Sequence, residues 1–437
     1  MTRQWYVPPH RLALAAASLA LAAPASAQTI AITGGRVHPV SSAPIENGTV
    51  LIRDGRIVAV GADVTIPADA QRVDATGKVV TPGLINSATQ LGLVEIGQEA
   101  STRDARAAAG DGIAAAFRAW EGLNPRSAYI PAARVEGVTT VVVAPSGGLV
   151  QGQAALVDLG EGSIADLVRR APVAMVVGDM GGYRSDEVGA RGEFLLRLRE
   201  LLDDTRAYMR NRASFERGDS RELVASRSDL EAMIPVLRGE LPVAIAADRA
   251  TDIEAAILLA REYGLRPIIV GGAEAWMVAD AIAAARVPVL VGAMNNIPSS
   301  FSTLGSRQEN PALLRRAGVT VALIGNAGGD EELFNVRNIK YEAGNAVAYG
   351  MSWDDALRAI TLTPAELFGA ADRIGALRPG MDANVVVWSG DPLELRTLAE
   401  RVYIKGVEMP EETRQRMLME RYRTLPPDYD TPAGRGP

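Results

Sequence analysis

The sequence predicts an α/β protein: a long run of alternating strands and helices, flanked at both ends by β-rich stretches. Three observations carry this. Apolar runs of strand length recur between residues 138 and 324, with helical patterns between them. These runs are apolar on both faces, as strands of a parallel sheet covered by helices must be. Segments rich in β-branched residues occur before residue 80 and again after residue 384. Strand–helix repetition over this length fits a (β/α)8 barrel or a doubly wound sheet, and periodicity alone does not choose between them. The chain has 437 residues, enough for a barrel of about 250 residues and a second domain.

The first 27 residues read as a secretory signal peptide. Arg3 and Arg11 precede an Ala/Leu run from Leu12 to Ala23, and Ala25-Ser-Ala27 suits cleavage after Ala27. The expected location is therefore periplasmic or secreted, with no membrane span once the leader is removed, because the apolar run is short for a bilayer. Losing Arg3 and Arg11 moves the net charge from −7 to −9, which argues against a nucleic-acid partner. With no cysteine in the chain, stability must come from core burial, and thiolate chemistry and sulfur ligation are excluded.

Residues 28–80 are expected to form the N-terminal part of a β-sandwich domain. Thr49 to Arg53, the pair Asp54-Gly55 and Arg56 to Val60 make a hairpin signal, because both turn positions need φ > 0. Residues 81–374 should form the strand–helix domain, with apolar strands at 138–143, 173–177, 242–246, 267–270, 288–291 and 319–324. Helical spacing runs from Asp252 to Tyr263 and from Glu274 to Ala285. A charged, mainly helical excursion occupies 182–239, where leucines at 195, 196, 198, 201 and 202 suggest an amphipathic helix with a solvated outer face. Another helix is expected from Trp353 to Leu367. Residues 375–410, with strands at 385–388 and 401–406, should pair with the first β segment as its C-terminal part. Residues 411–437 read as a final helix and a flexible Pro/Gly tail.

Several motifs resemble the amidohydrolase superfamily, and its imidazolonepropionase-like exported bacterial branch in particular. Lys78-Val-Val-Thr-Pro-Gly-Leu-Ile-Asn-Ser-Ala-Thr-Gln90 resembles the family's barrel-opening Pro-Gly-Leu-Ile-Asp-x-His-x-His. Ala356-Leu-Arg-Ala-Ile-Thr361 with Thr363-Pro-Ala365, and Gly375 through Pro379-Gly380 to Asn384, resemble its later signatures. The resemblance implies a (β/α)8 TIM-like barrel plus a composite β-sandwich domain formed by both chain ends. It also implies hydrolysis of non-peptide carbon–nitrogen bonds by one or two divalent metals, which lower the pKa of bound water. The family's ligands are the two first-strand histidines, often a carboxylated lysine at the fourth strand, histidines ending the fifth and sixth, and an Asp ending the eighth.

At those stations this chain carries Ala88, Gln90, Ala246, Gly271 and Asn326. Its only histidines are His10 and His38, and its lysines are Lys78, Lys340 and Lys405. The resemblance therefore implies the scaffold without the metal centre, and no cofactor is expected. An all-carboxylate site for a divalent cation is the alternative, drawing on Glu95, Asp179, Asp248 or Asp330.

Three functions of different class are open. One is a catalytically silent subunit, a homo-oligomer or a hetero-oligomeric partner of an active relative. Another is an atypical hydrolase using an Asp248/Glu95 acid–base pair, with Asp179 nearby. The third is a periplasmic binder of a small polar ligand, using Gln90, Gln151, Gln153, Asn295 and Asn326 at the barrel mouth. The glycine-rich Pro145 to Gln153 segment lacks the Lys and Ser/Thr offsets of a phosphate loop and is expected to be a close-packed loop at that mouth. Ser146 has no histidine partner in the barrel, which excludes a nucleophilic triad.

Overall fold

Gly83 divides the protein. The stretch from Lys78 to Gln90 holds two strands, one on each side of this residue, and a Cβ at Gly83 would lie 2.1 Å from Thr139 Oγ1. Only glycine lets the chain pass there from one sheet to the next. The computed structural model describes residues 29–180, 189–219, 221–325 and 335–424. The expected leader, Asn326, Asp330, the start of the helical excursion and the Pro/Gly tail lie outside the described residues.

Before Gly83 come β1 (Thr29–Val37), β2 (Ile45–Arg53), β3 (Arg56–Gly61), β4 (Gln71–Asp74) and β5 (Val79–Pro82). The barrel strands follow: β6 (Leu84–Thr89), β7 (Val138–Val143), β8 (Val150–Asp158), β9 (Val168–Val177), β10 (Val243–Ala247), β11 (Pro267–Gly271), β12 (Val289–Val291) and β13 (Val321–Leu323). The chain then returns to the first sheet as β14 (Val385–Trp388), β15 (Ala399–Ile404) and β16 (Val407–Glu408). The first sheet has the order β16-β15-β14-β5-β1-β2-β3, with β4 branching from β1. Both chain ends thus build one β domain around a core that includes Ile32, Ile52, Val80, Val387 and Tyr403. The β2–β3 turn has positive φ at Asp54 (51°) and Gly55 (73°), as the hairpin requires.

The second sheet runs in order from β13 to β6 and curls so that β13 comes back against β6. This is the expected TIM-like barrel, with one departure: β8 is antiparallel to both β7 and β9. Between β7 and β8 lie only residues 144–149, too few for a helical crossover, so the strand must reverse. Gly147 (φ 78°) and Gly148 (φ 90°) make that reversal.

Side chains alternate across the barrel wall as a period of two demands. Ile85, Val142, Leu156, Ala244, Ile268 and Leu290 fill the interior. Val141, Met175, Ile245, Ile269 and Val289 face the outer helices. Each such buried aliphatic side chain contributes roughly 1.5–3 kcal/mol. Phe368 and Ile374 join the interior cluster from beyond the helix Leu362–Leu367, which lies near the strand-starting prolines Pro242, Pro267 and Pro288. That closes the N-terminal end of the barrel and leaves the C-terminal end as the mouth. The helix Arg191–Arg210 lies within the expected excursion and buries Phe194, Leu198, Leu201 and Leu202. No described helix is long and apolar enough to cross a membrane.

Candidate functional site

The mouth is built by the segments that leave β6, β7, β9, β10, β11 and β12. Its inner wall is aliphatic: Ala88, Ala144, Val176 and Val270 pack on the interior cluster. Asn86 is buried, donates from Nδ2 to Val336 O at 3.3 Å, and accepts from Ala88 N at 3.3 Å. Ala246 is half-buried at the end of β10. Gly271 has φ 93°, and a Cβ there would stand 2.7 Å from Asp248 Oδ1. Among the described residues no three His, Cys, Asp or Glu side chains are grouped to hold a metal ion. His38 belongs to the β domain, 4.4 Å from the Trp353 ring, centroid to centroid.

The candidate carboxylates are not brought together as a set. Asp248 follows β10 and its Oδ1 accepts from Ala273 N at 3.1 Å. Burial raises its pKa above the usual carboxylate range; the Ala273 N–H opposes this, and the charges of Asp179, Asp252 and Glu274 reinforce it. The other acids around it are occupied. Asp252 pairs with Arg191 at 2.9 Å, and Glu274 accepts from Ala250 N and Gly305 N. Glu95 is instead held by Asn124 Nδ2 at 3.0 Å and is not among the acids that act most strongly on Asp248. The structure thus groups Asp248 with Asp179 and does not pair it with Glu95.

The amide candidates divide in the same way. Gln90 lines a cavity of about 430 Å3 beside Ser146, Arg103 and Arg106. Gln153 is a correction. It lies in a strand rather than a loop, and inward-facing Ala154 and Leu156 put it on the outer face of β8, where its Nε2 donates to Ala115 O at 3.0 Å. Gln151, beside Gly178, is also in β8 rather than in the expected glycine-rich loop. Asn295 is exposed with φ 55°, a left-handed turn position that Asn tolerates. Asn326 lies outside the described residues.

Arg103 and Arg106 carry no motif in the sequence. They reach the mouth because the loop after β6 folds back on itself. Glu95 N bonds to Thr102 O, Asp104 N to Leu93 O, and Ser146 N to Ala105 O. The only local hint is Gly147, whose bare Cα admits the Arg106 side chain: a Cβ there would meet Nε at 2.5 Å.

Comparison with known proteins places this architecture. Residues 255–413 match the amidohydrolase family. The imidazolonepropionase of Paracoccus denitrificans is 28% identical over 396 residues, covering 83% of this chain and 91% of that one. The amidohydrolase tasK of Hapsidospora irregularis is 24% identical over 393 residues, and the match spans 82% of this chain but 39% of that longer protein. The crystal structure of an amidohydrolase from Thermotoga maritima superposes with a TM-score of 0.79 at 29% identity, covering 88% of this chain and 100% of that one. With a barrel of this strand order and a β domain closed by both chain ends, the chain belongs to the amidohydrolase superfamily.

Proposed function

We propose that the protein is a catalytically silent member of the superfamily that acts as an exported subunit or partner of an active relative. The observation that carries this is the aliphatic lining of the mouth, where Ala88, Ala144, Val176 and Val270 stand at the upper end of the barrel interior. His10 and His38 are the only histidines in the chain, and His38, in the β domain, makes a tilted ring contact with Trp353. The side chains present therefore do not fit a centre of imidazole and carbamate ligands. Gly271 supports the same reading: its φ of 93° and the closeness of Asp248 Oδ1 leave no room for a ligand side chain. A fold shared with hydrolases does not establish hydrolysis.

The test combines metal analysis of the purified protein, turnover assays on amides, cyclic ureas and imidazolones, and co-purification with a histidine-complete relative. No stoichiometric metal, no turnover and co-migration with the relative are expected. A chain that remains a monomer beside every such relative would remove the partner half of the reading.

One observation favours a second reading, an atypical hydrolase. Asp248 is half-buried with its pKa raised, within the field of Asp179 and without an ion-pair partner among the described residues. A carboxyl that holds its proton to a higher pH than usual is a candidate general acid. Turnover abolished by Asp248→Asn would establish this reading and overturn the first.

A further inference from the structure

We infer that the cavity between the ends of β6 and β7 is a binding site for a small organic carboxylate. This goes beyond the proposed silence of the barrel and does not depend on it. The cavity holds about 430 Å3, a volume suited to a ligand of metabolite size. Two guanidinium groups, Arg103 and Arg106, face it together with the Gln90 carboxamide and the Ser146 hydroxyl, and among the described residues no acid lines it. The chain as a whole carries a net charge of −7, so a wall with two cations and no acid is a local reversal of sign.

Neither arginine is neutralised by an ion pair among the described residues. The acid that feels Arg103, Glu99, is itself engaged by the Ser101 backbone N–H and hydroxyl. Arg106 is positioned by packing: its Nε, Cδ and Cγ lie over Gly147, within 2.5 to 3.0 Å of where a Cβ would be. The loop that carries both arginines is stitched to its surroundings by backbone bonds from Glu95 N, Asp104 N and Ser146 N. The loop backbone is thus fixed and Arg106 packs on Gly147, while both guanidinium groups stay exposed to an incoming ligand.

The composition of the wall selects the ligand class. A guanidinium matches the two oxygens of a carboxylate with parallel N–H donors. Gln90 and Ser146 add neutral donors and acceptors suited to an amide or a second carboxylate. Val94 and a run of alanines line the remainder, which fits a short hydrocarbon segment. A bare inorganic anion would leave that apolar part of the wall unused.

The test is calorimetric titration and thermal shift of the purified full chain with glutarate and with N-acetylglycine. Glutaramide serves as the uncharged control and inorganic phosphate as the anion control. At least one of the two acids is expected to bind, with the diamide and phosphate much weaker. Arg106→Gln and Arg103→Gln should each weaken that binding by roughly 10- to 100-fold, the loss typical of hydrogen bonds to a charged group. Gly147→Ala, which displaces Arg106 but keeps its charge, should weaken binding in the same direction. Thermal midpoints of the unliganded variants establish that they are folded.

The inference is overturned if neither acid binds, if the diamide or phosphate binds as tightly, or if both arginine variants keep wild-type affinity. Absence of binding leaves the silent-barrel reading standing, since metal content and turnover decide that. Turnover of an amide would overturn silence and leave the pocket assignment intact.

Discussion

At the scale of single residues, the clearest consequences concern two titratable groups, the buried His38 and the half-buried Asp248. His38 is 7% exposed. Burial lowers its pKa below 6.5, Arg36 lowers it further, and Asp354, Asp391 and Glu46 oppose the shift only in part. The unfolded chain then takes up a proton at a higher pH than the folded one. The stabilisation from a neutral His38 is full above 6.5 and is lost as pH falls from there toward the folded value. His38→Phe keeps a ring against Trp353 and removes the titration. The loss of urea stability between about pH 7.5 and about pH 5.5 should therefore be smaller in this variant than in the wild type. Equal losses would show that His38 does not titrate as described. Asp248 has the opposite sign. Its raised pKa means that ionising it costs stability as pH rises through 3.8 and through the folded value. Asp248→Asn retains an acceptor for Ala273 N, so it should raise the thermal midpoint at neutral pH, with the gain vanishing in acid. A lower midpoint at neutral pH would contradict this. The sequence made Asp248 and Gln90 visible because both follow recognisable strands. It hid Arg103 and Arg106, whose place depends on a loop held by backbone bonds such as Ser146 N to Ala105 O. Side-chain identity carries no trace of such bonds.

At the scale of elements, Gly83 is the most demanding position. A Cβ there would meet Oγ1, Cγ2 and Cβ of Thr139 between 2.1 and 2.7 Å, and Thr139 is 1% exposed on β7. Gly83→Ala should therefore destabilise the protein by about 1–3 kcal/mol, as overpacking does. Thr139→Gly in the same chain should restore part of that loss. Denaturant midpoints of the single and double variants measure it, and a double variant no better than Gly83→Ala alone would locate the strain elsewhere. The same region shows what sequence reading can and cannot resolve. Runs such as Val138–Val143 and Pro267–Gly271 are legible because continuous β-branched residues suit a strand buried on both faces. Val150–Asp158 was obscured by its glycine and glutamines, and its antiparallel direction follows from the length of the preceding turn rather than from its own residues. The expected helix from Trp353 to Leu367 is two helices, Trp353–Ala359 and Leu362–Leu367. The break frees Ile360 O to accept from Ile85 N on β6, a tertiary bond that helical spacing cannot reveal.

At the scale of the whole molecule, the β domain and the barrel are joined by buried charge as well as by apolar packing. Arg169, at the start of β9 and 10% exposed by side chain, reaches Asp158 at 2.8 Å and Asp382 at 2.7 Å. Lys405 also binds Asp158, at 3.1 Å, and Arg373 binds Asp382. Burial pushes the Asp382 carboxyl up, but hydrogen bonds and charge from Arg169 and Arg373 outweigh it and hold it below 3.8. Its contribution is therefore present above that value and lost as pH falls through the folded one. Asp158 and Asp382 have side chains only 1% and 5% exposed, so removing their shared cation leaves two carboxylates short of a partner. Breaking a buried pair from one side costs about 3–5 kcal/mol. Because Lys405 and Arg373 remain, Arg169→Leu should fall near the lower end, at about 3 kcal/mol. The cost of desolvating charge also implies a second outcome. Arg169→Leu combined with Asp158→Leu and Asp382→Leu removes the stranded carboxylates along with the cation, and such exchanges are often neutral or stabilising. The triple variant should therefore be more stable than Arg169→Leu, with urea unfolding as the measurement. If the single variant loses less than 1 kcal/mol, the network is screened by water, and the junction between the two sheets rests on apolar contacts such as Trp388 against Gly137.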